Sequence, residues 1–338
     1  MSSHPSTSLA PNGHSKLTNG TSPSDVDHSD SYDTSPSASS SGFPLNGYSH
    51  VPYPNHHNED IVNHLYHSGF QTGNYADTVL HVHQNVYRLH AIILSRSPYL
   101  AHLMSTSPQT SGQRVIQVRL DDEPEVTQEG FAIALGYLYS AISLNLIRPE
   151  NARAVLAAGC LLCGMNDLCQ FAYETCRRSI TIDSVGEWLT FVESIPQAAD
   201  GTTTPDLAPL SVFGQYALRL RDDVFHFLVV VLPEFLETHK PPQEQTDPKG
   251  RDLLLQIYAK APFEMFKAAV ESPTFQIGSD QARFKFAKDA IELRKQNTPR
   301  GAGAEETVVL AFGGGHCGGS AVHITRKLRK RPLWKVNS

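Results

Sequence analysis

Asp77 and His90 pair a carboxylate with an imidazole, the combination that general-base chemistry uses when a nucleophile stands beside it. No such nucleophile is placed near them, so the two read as structural: a carboxylate at a strand start and an imidazole at a helix entry. His81 and His83 lie two apart on an expected strand and share one face, which supplies two zinc ligands, but no spacing signals a third. Cys160-x-x-Cys163, with Cys169 and Cys176, has the ligand number of a zinc site. Structural zinc draws its ligands from turns. These thiols sit instead among Val155, Leu156, Leu161, Leu162, Leu168 and Phe171, which reads as small side chains filling a helical hairpin. Gly313 to Gly319, ending at Ser320, follows the apolar run Val308–Phe312 and so resembles a phosphate cradle. It lacks the Lys-Ser/Thr pair and a following helix, and reads as a flexible hinge. No catalytic, cofactor-binding or metal-binding residue is therefore assigned. The remaining chemistry is charge. Arg326, Lys327, Arg329, Lys330 and Arg331 form a cluster that suits nuclear import, an RNA or membrane-surface patch, or a solvated tail.

The elements that carry these residues begin with a helix from Glu59, whose stripe Ile61, Val62, Leu65 and Tyr66 would be exposed on a single chain. Residues 75–90 alternate and predict two short strands around a tight connection at His83–Asn85. Helical spacing takes over from Ile92, and Ser97-Pro98 predicts the start of a second short helix. A third strand is predicted over Arg114–Leu120, a helix over Thr127–Ser140, and a short strand over Ile142–Leu146. Helices at Glu150–Cys163 and Asn166–Ser179 are broken at Gly164. Residues 181–296 read as all helix: Val185–Ser194, two helices in Leu210–Thr238, then Arg251–Tyr258, Phe263–Val270 and Gln281–Lys295.

Composition bounds the class. The chain has 338 residues and 40% apolar content, with the two ends poor in apolar side chains. Residues 1–58, rich in Ser, Pro and Asn, cannot bury enough surface to offset ordering entropy and read as disordered. Five cysteines make a disulfide framework unlike a secreted one and suggest a reducing compartment. The longest apolar run, Phe227–Leu232, closes at Pro233 and Glu234, too short to span a bilayer. The first arginine is Arg88, unlike an Arg-rich transit peptide. These features indicate an intracellular protein, nuclear or cytoplasmic, with no membrane partner. Net charge is −6. One lysine stands against four aspartates in residues 1–58, and seven Lys/Arg against two glutamates in residues 297–338. The acidic body left between them does not suit a nucleic-acid-binding core.

Residues 59–180 resemble a BTB/POZ domain: a small mixed sheet flanked by helices, an α+β fold. The resemblance rests on Asp77 before the first strand, His90 after the second, Ser97-Pro98-Tyr99-Leu100 on the next helix pair, and Tyr137-Leu138-Tyr139-Ser140-Ala141 at the end of the later helix. Residues 251–296 are similar to the BACK helical region, and the whole resembles BTB-BACK proteins of the germ-cell-less type. Four segments follow: a disordered region 1–58, the BTB/POZ domain 59–180, an all-α BACK-like region 181–296, and a Gly-rich and basic tail 297–338. The resemblance implies a non-enzymatic homodimer without cofactors, joined through Ile61, Val62, Leu65 and Tyr66. It also implies an adaptor that links a cullin scaffold of a ubiquitin ligase to an unknown target, with Glu125, Val126 and Glu129 facing the cullin. Family members that recruit corepressors carry a basic residue where Ala91 stands here, and Ala141 replaces a usual glycine. The other reading is a nuclear regulatory or scaffold protein that uses the same dimer without a ligase.

Overall fold

The computed structural model describes residues 54–107, 109–110, 112–195, 211–238, 249–297, 304–312 and 320–328. The region expected to be disordered lies outside these residues up to position 53. Its last part differs from expectation: helix α1 (Pro54–His64) starts five residues before Glu59 and runs on through a π-helical turn, Leu65–Gln71.

The alternating stretch folds as read. Strands β1 (Thr78–Val82) and β2 (Asn85–Leu89) pair antiparallel, Val82 opposite Asn85, and His83 takes the left-handed φ of 52° that so tight a connection needs. Helix α2 (Ala91–Leu94) follows. Ser97 caps α3 (Pro98–Thr106): its Oγ accepts from Leu100 N–H at 3.2 Å, and Pro98 fills the first turn, where no N–H is needed. A two-residue strand, β3 (Gln109–Thr110), leads into β4 (Gln113–Val118), which lies parallel to β1. The sheet order is β2-β1-β4-β3. Leu80, Val82, Leu89, Ile116 and Val118 point into the core, while Val86 and Val115 stay exposed on the other face.

Helix α4 (Gln128–Tyr139) is capped by Thr127, whose hydroxyl accepts from Gly130 N–H at 3.1 Å. Gly130 interrupts an otherwise apolar face because α5 (Ala152–Leu162) passes over it: a Cβ there would lie 2.6 Å from the Ala154 backbone. Residues 141–146, expected as a strand, form a 3₁₀ turn. Ser140 starts it by accepting from Ile142 N–H, a local bond that an extended chain would forgo. Helix α6 (Asn166–Arg178) completes a hairpin with α5.

Beyond it come α7 (Val185–Ser194) and α8 (Gln215–His226). The latter continues through a π-helical turn, Phe227–Val231, into α9 (Leu232–Phe235), so one unbroken rod replaces the two helices expected. Helices α10 (Gly250–Lys260), α11 (Phe263–Glu271) and α12 (Asp280–Asn297) enclose Tyr258, Phe266, Phe275 and Phe286, and Tyr258 donates to Leu228 O at 2.9 Å.

The segment expected as a tail departs most from the sequence reading. Strands β5 (Ala304–Phe312) and β6 (Ser320–Leu328) form an antiparallel hairpin on α11 and α12. Val322 and Ile324 are buried, and Ile324 N–H donates to Glu271 Oε1 at 2.6 Å. The apolar run Val308–Phe312 is too short to form a core by itself. It finds one because Val308 and Leu310, opposite Ile324 and Val322, lie against the helices. The glycine stretch 313–319 is outside the described residues.

Candidate protein-interaction surfaces

The motif residues converge on one bonded unit. Asp77 Oδ1 accepts from Ala91 N–H at 2.7 Å and from Thr78 Oγ1 at 3.0 Å, so the carboxylate stands at the N-terminus of α2 and ties it to β1. His90 Nε2 lies 2.8 Å from the Asn74 carbonyl, so in the neutral ring this nitrogen carries the proton and Nδ1 accepts. Tyr139 then donates its hydroxyl to Nδ1 at 3.0 Å and accepts from His90 N–H at 2.9 Å. Burial, the larger influence, pushes the Tyr139 phenol up to about 12. Ser97 Oγ also donates to Leu162 O, and Arg96 to Leu138 O, which joins α3 to α5 and α4. Tyr99 is half-buried, and burial raises its phenol. These contacts are architectural: every polar atom in them serves an element junction.

The surface around this unit divides into three places. Along α1, residues 56–64 are exposed throughout. Ile61 is 45% exposed and Val62 38%, Leu65 is half-buried, and Tyr66 is turned inward at 4%, its ring 5.5 Å from Phe70. Of the four residues expected to join two copies, Tyr66 belongs to the chain's own core.

The second place is the start of α4. Val126 was expected to face the cullin, and it is 4% exposed. With Thr127 as the cap, Val126 stands just before it and Phe131 four residues after, the two positions of a hydrophobic staple. Both are buried. Its acidic neighbours are ion-paired: Glu125 with Arg153 at 2.8 Å, Glu129 with Arg148 at 3.0 Å, and Glu129 also accepts from Asn151 at 2.8 Å. Beside Glu129 runs a groove of about 290 Å³ whose walls include Tyr66, Phe70, Ile133, Leu146 and Arg148. The sequence reading missed it, because it depends on the 3₁₀ turn bringing Leu146 beside α4.

The third place is the end of the hairpin. Arg326 and Lys327 are exposed on β6, and Arg326 lies 5.1 Å over the Phe263 ring. Arg329, Lys330 and Arg331 are outside the described residues.

The residues weighed for metal chemistry do not assemble. His81 lies on β1 and His83 at its turn, 3.9 Å from Asp121. Among the described residues no group of three or more His, Cys, Asp or Glu side chains is placed to hold a metal. No helix among the described residues is long and apolar enough to cross a membrane.

A small mixed sheet carrying this Asp-His-Tyr junction, closed by a helical hairpin, defines a scaffold for protein contacts. Residues 66–178 match the BTB/POZ domain family, and this part of the chain is a BTB/POZ domain. BTB/POZ domain-containing protein 2 of Schizosaccharomyces pombe is 29% identical over 287 residues, 82% of this chain and 92% of that protein. Germ cell-less protein-like 2 of Homo sapiens is 30% identical over 129 residues, 38% of this chain. Germ cell-less protein-like 1 of Mus musculus is 29% identical over 126 residues, 37% of this chain. These matches span 24% and 23% of the two germ cell-less-like proteins.

Proposed function

We propose that this protein is a non-enzymatic, dimeric BTB adaptor with a BACK-like helical region, and that it links a cullin-type ubiquitin ligase to a target. The carrying observation is α1: eleven residues attached to a folded BTB core, with Ile61 and Val62 facing solvent. An apolar stripe in that state is stabilised by a second copy, each buried side chain contributing roughly 1.5–3 kcal/mol. Two linked copies would present two target surfaces and two ligase surfaces, and the chemistry would belong to the recruited ligase. The groove beside Glu129 supports the cullin half of the reading, since it offers apolar walls with a charged rim. Light scattering on the full-length chain is expected to give a dimer mass, and Ile61→Asp with Val62→Asp a monomer. A monomeric unmutated chain would remove the dimer. Purified cullin N-terminal domain is expected to bind the unmutated chain and to lose affinity for Glu129→Lys; no binding by either leaves only the scaffold reading. That second reading, a nuclear protein using the dimer alone, draws on the exposed basic end of β6. It predicts that Lys327→Ala combined with alanines at Arg329, Lys330 and Arg331 moves a tagged protein out of the nucleus.

A further inference from the structure

A second apolar groove, of about 310 Å³, lies in the helical region between α8 and α11. Leu218 and Phe225, two turns apart on α8, form one wall; Met265 and Ala268 of α11 form the other. Leu218 is 55% exposed and Ala268 is exposed, while Met265 is buried. The volume falls near the lower end of the roughly 300–1,000 Å³ typical of ligand pockets, so it suits one or two large side chains and not the face of a folded domain. A segment of the same chain starts beside it. Strand β6 ends at Leu328, and Arg326 lies 5.1 Å over the ring of Phe263, the first residue of α11. The sequence continues as Arg329-Lys330-Arg331-Pro332-Leu333-Trp334-Lys335. Around the α11 axis, Phe263 and Ala268 stand about 140° apart, an arc of about 13 Å on a helix ~11 Å across. Pro332 favours an extended Arg331, and an extended chain from Leu328 to Trp334 spans up to about 20 Å. That is enough to cross from β6 to the groove. On the face crossed, Glu264 and Glu271 outnumber Lys267, which suits the three cations before Pro332. On the rim Arg221 and Asp222 offset each other, so the apolar walls decide what is seated.

We propose that Leu333 and Trp334 of the same chain seat in the α8–α11 groove, with the indole between Leu218 and Phe225 on one side and Met265 and Ala268 on the other. An indole offers the largest apolar body a single side chain can bring to such a recess. The tether at Leu328 holds the segment at an effective concentration of roughly millimolar, so a shallow groove suffices to retain it. Docking lays Arg329, Lys330 and Arg331 along the Glu264 face of α11, which limits their access to other partners. The proposal stands apart from the dimer and ligase readings and does not rest on them.

The chain has two tryptophans, Trp188 and Trp334, which makes the test direct. The full-length chain is labelled with fluorotryptophan, and Trp334→Phe assigns the two fluorine resonances. Trp188 is 6% exposed and reports on the fold. Exchanging light for heavy water shifts the resonance of an exposed indole and leaves that of a buried one in place. The Trp334 resonance is expected to show a small fraction of the solvent shift it shows in urea. Ala268→Arg and Leu218→Asp, both at exposed positions, should each restore the full shift of Trp334 and leave the Trp188 resonance where it was. A full solvent shift for Trp334 in the unmutated chain would overturn the proposal. So would a protected Trp334 that neither substitution releases, since it would then be seated elsewhere. Protection that disappears on dilution would assign the groove to the segment of a second copy and overturn docking within one chain.

Discussion

The Tyr139 hydroxyl joins α4 to the strand–helix junction at His90, giving one hydrogen bond and accepting another. Tyr139→Phe keeps the ring and leaves the His90 N–H and Nδ1 without this partner. An unsatisfied buried group costs roughly 1–3 kcal/mol, so urea unfolding should show a loss of that order with an unchanged slope. No loss would mean that water replaces the hydroxyl. Val126 makes a sharper case. It stands between acidic residues of the surface implied to face a cullin, yet a buried staple position cannot take a charge. Val126→Arg is expected to unfold the domain or make it insoluble, because an unpaired buried guanidinium costs several kcal/mol. A folded, soluble Val126→Arg protein with native circular dichroism would contradict the burial. The signal was present in the sequence: Thr127 is a good cap and Phe131 lies four residues on, which places Val126 inside.

At the scale of elements, hairpin β5–β6 is held by one nearly buried ion pair. Arg294 of α12 reaches Glu306 of β5 at 2.8 and 3.4 Å, and the side chains are 13% and 12% exposed. Arg294 also donates to the carbonyls of Tyr258, Ala259 and Ala261 at the end of α10. Glu306→Ala would remove the carboxylate paired with a largely buried guanidinium, a change worth about 3 kcal/mol. Thermal unfolding should shift down accordingly, and deletion from residue 298 should cost more than deletion from residue 329. Equal midpoints for the two truncations would show that the hairpin contributes nothing. The local elements were legible where a short-range rule decides them: the alternation of β1 and β2, the Ser97-Pro98 start of α3, the glycine break between α5 and α6. The hairpin was not. Val308, Val309 and Leu310 form a run without alternation, and Val322 and Ile324 sit among basic and polar residues. Their burial depends on α11 and α12, a long-range condition that no window of sequence contains. Leu146 failed for the same reason: its place on the groove depends on Ser140 folding the next residues into a 3₁₀ turn.

For the whole molecule, the BTB domain and the helical region are tied by specific contacts. Tyr173 of α6 donates to Asp223 of α8 at 2.7 Å, Arg219 lies 4.1 Å over the Tyr173 ring, and Arg153 of α5 lies 5.0 Å over Phe191 of α7. A body tied in this way should lose stability together when groups buried on both sides are ionised. Burial pushes Cys176, in the BTB hairpin, up to about 12 from 9.0, and Tyr139 up to about 12 from 10.0. In the helical region burial holds Tyr258 well above 10.0. In each case the folded value exceeds the unfolded one, so the unfolded chain releases its proton first. The stabilisation is therefore complete below pH 9 and is lost as pH rises, first through Cys176, then through the tyrosines. Urea midpoints should fall progressively between pH 9 and 12, and unfolding followed by Trp188 fluorescence and by far-ultraviolet circular dichroism should stay coincident. Tyr139→Phe should flatten the part of this slope that begins near pH 10. A midpoint that stays level to pH 12 would show that these groups reach solvent in the folded state. Probes that separate would show that the two regions unfold independently, and that the α6–α8 and α5–α7 contacts do not couple them.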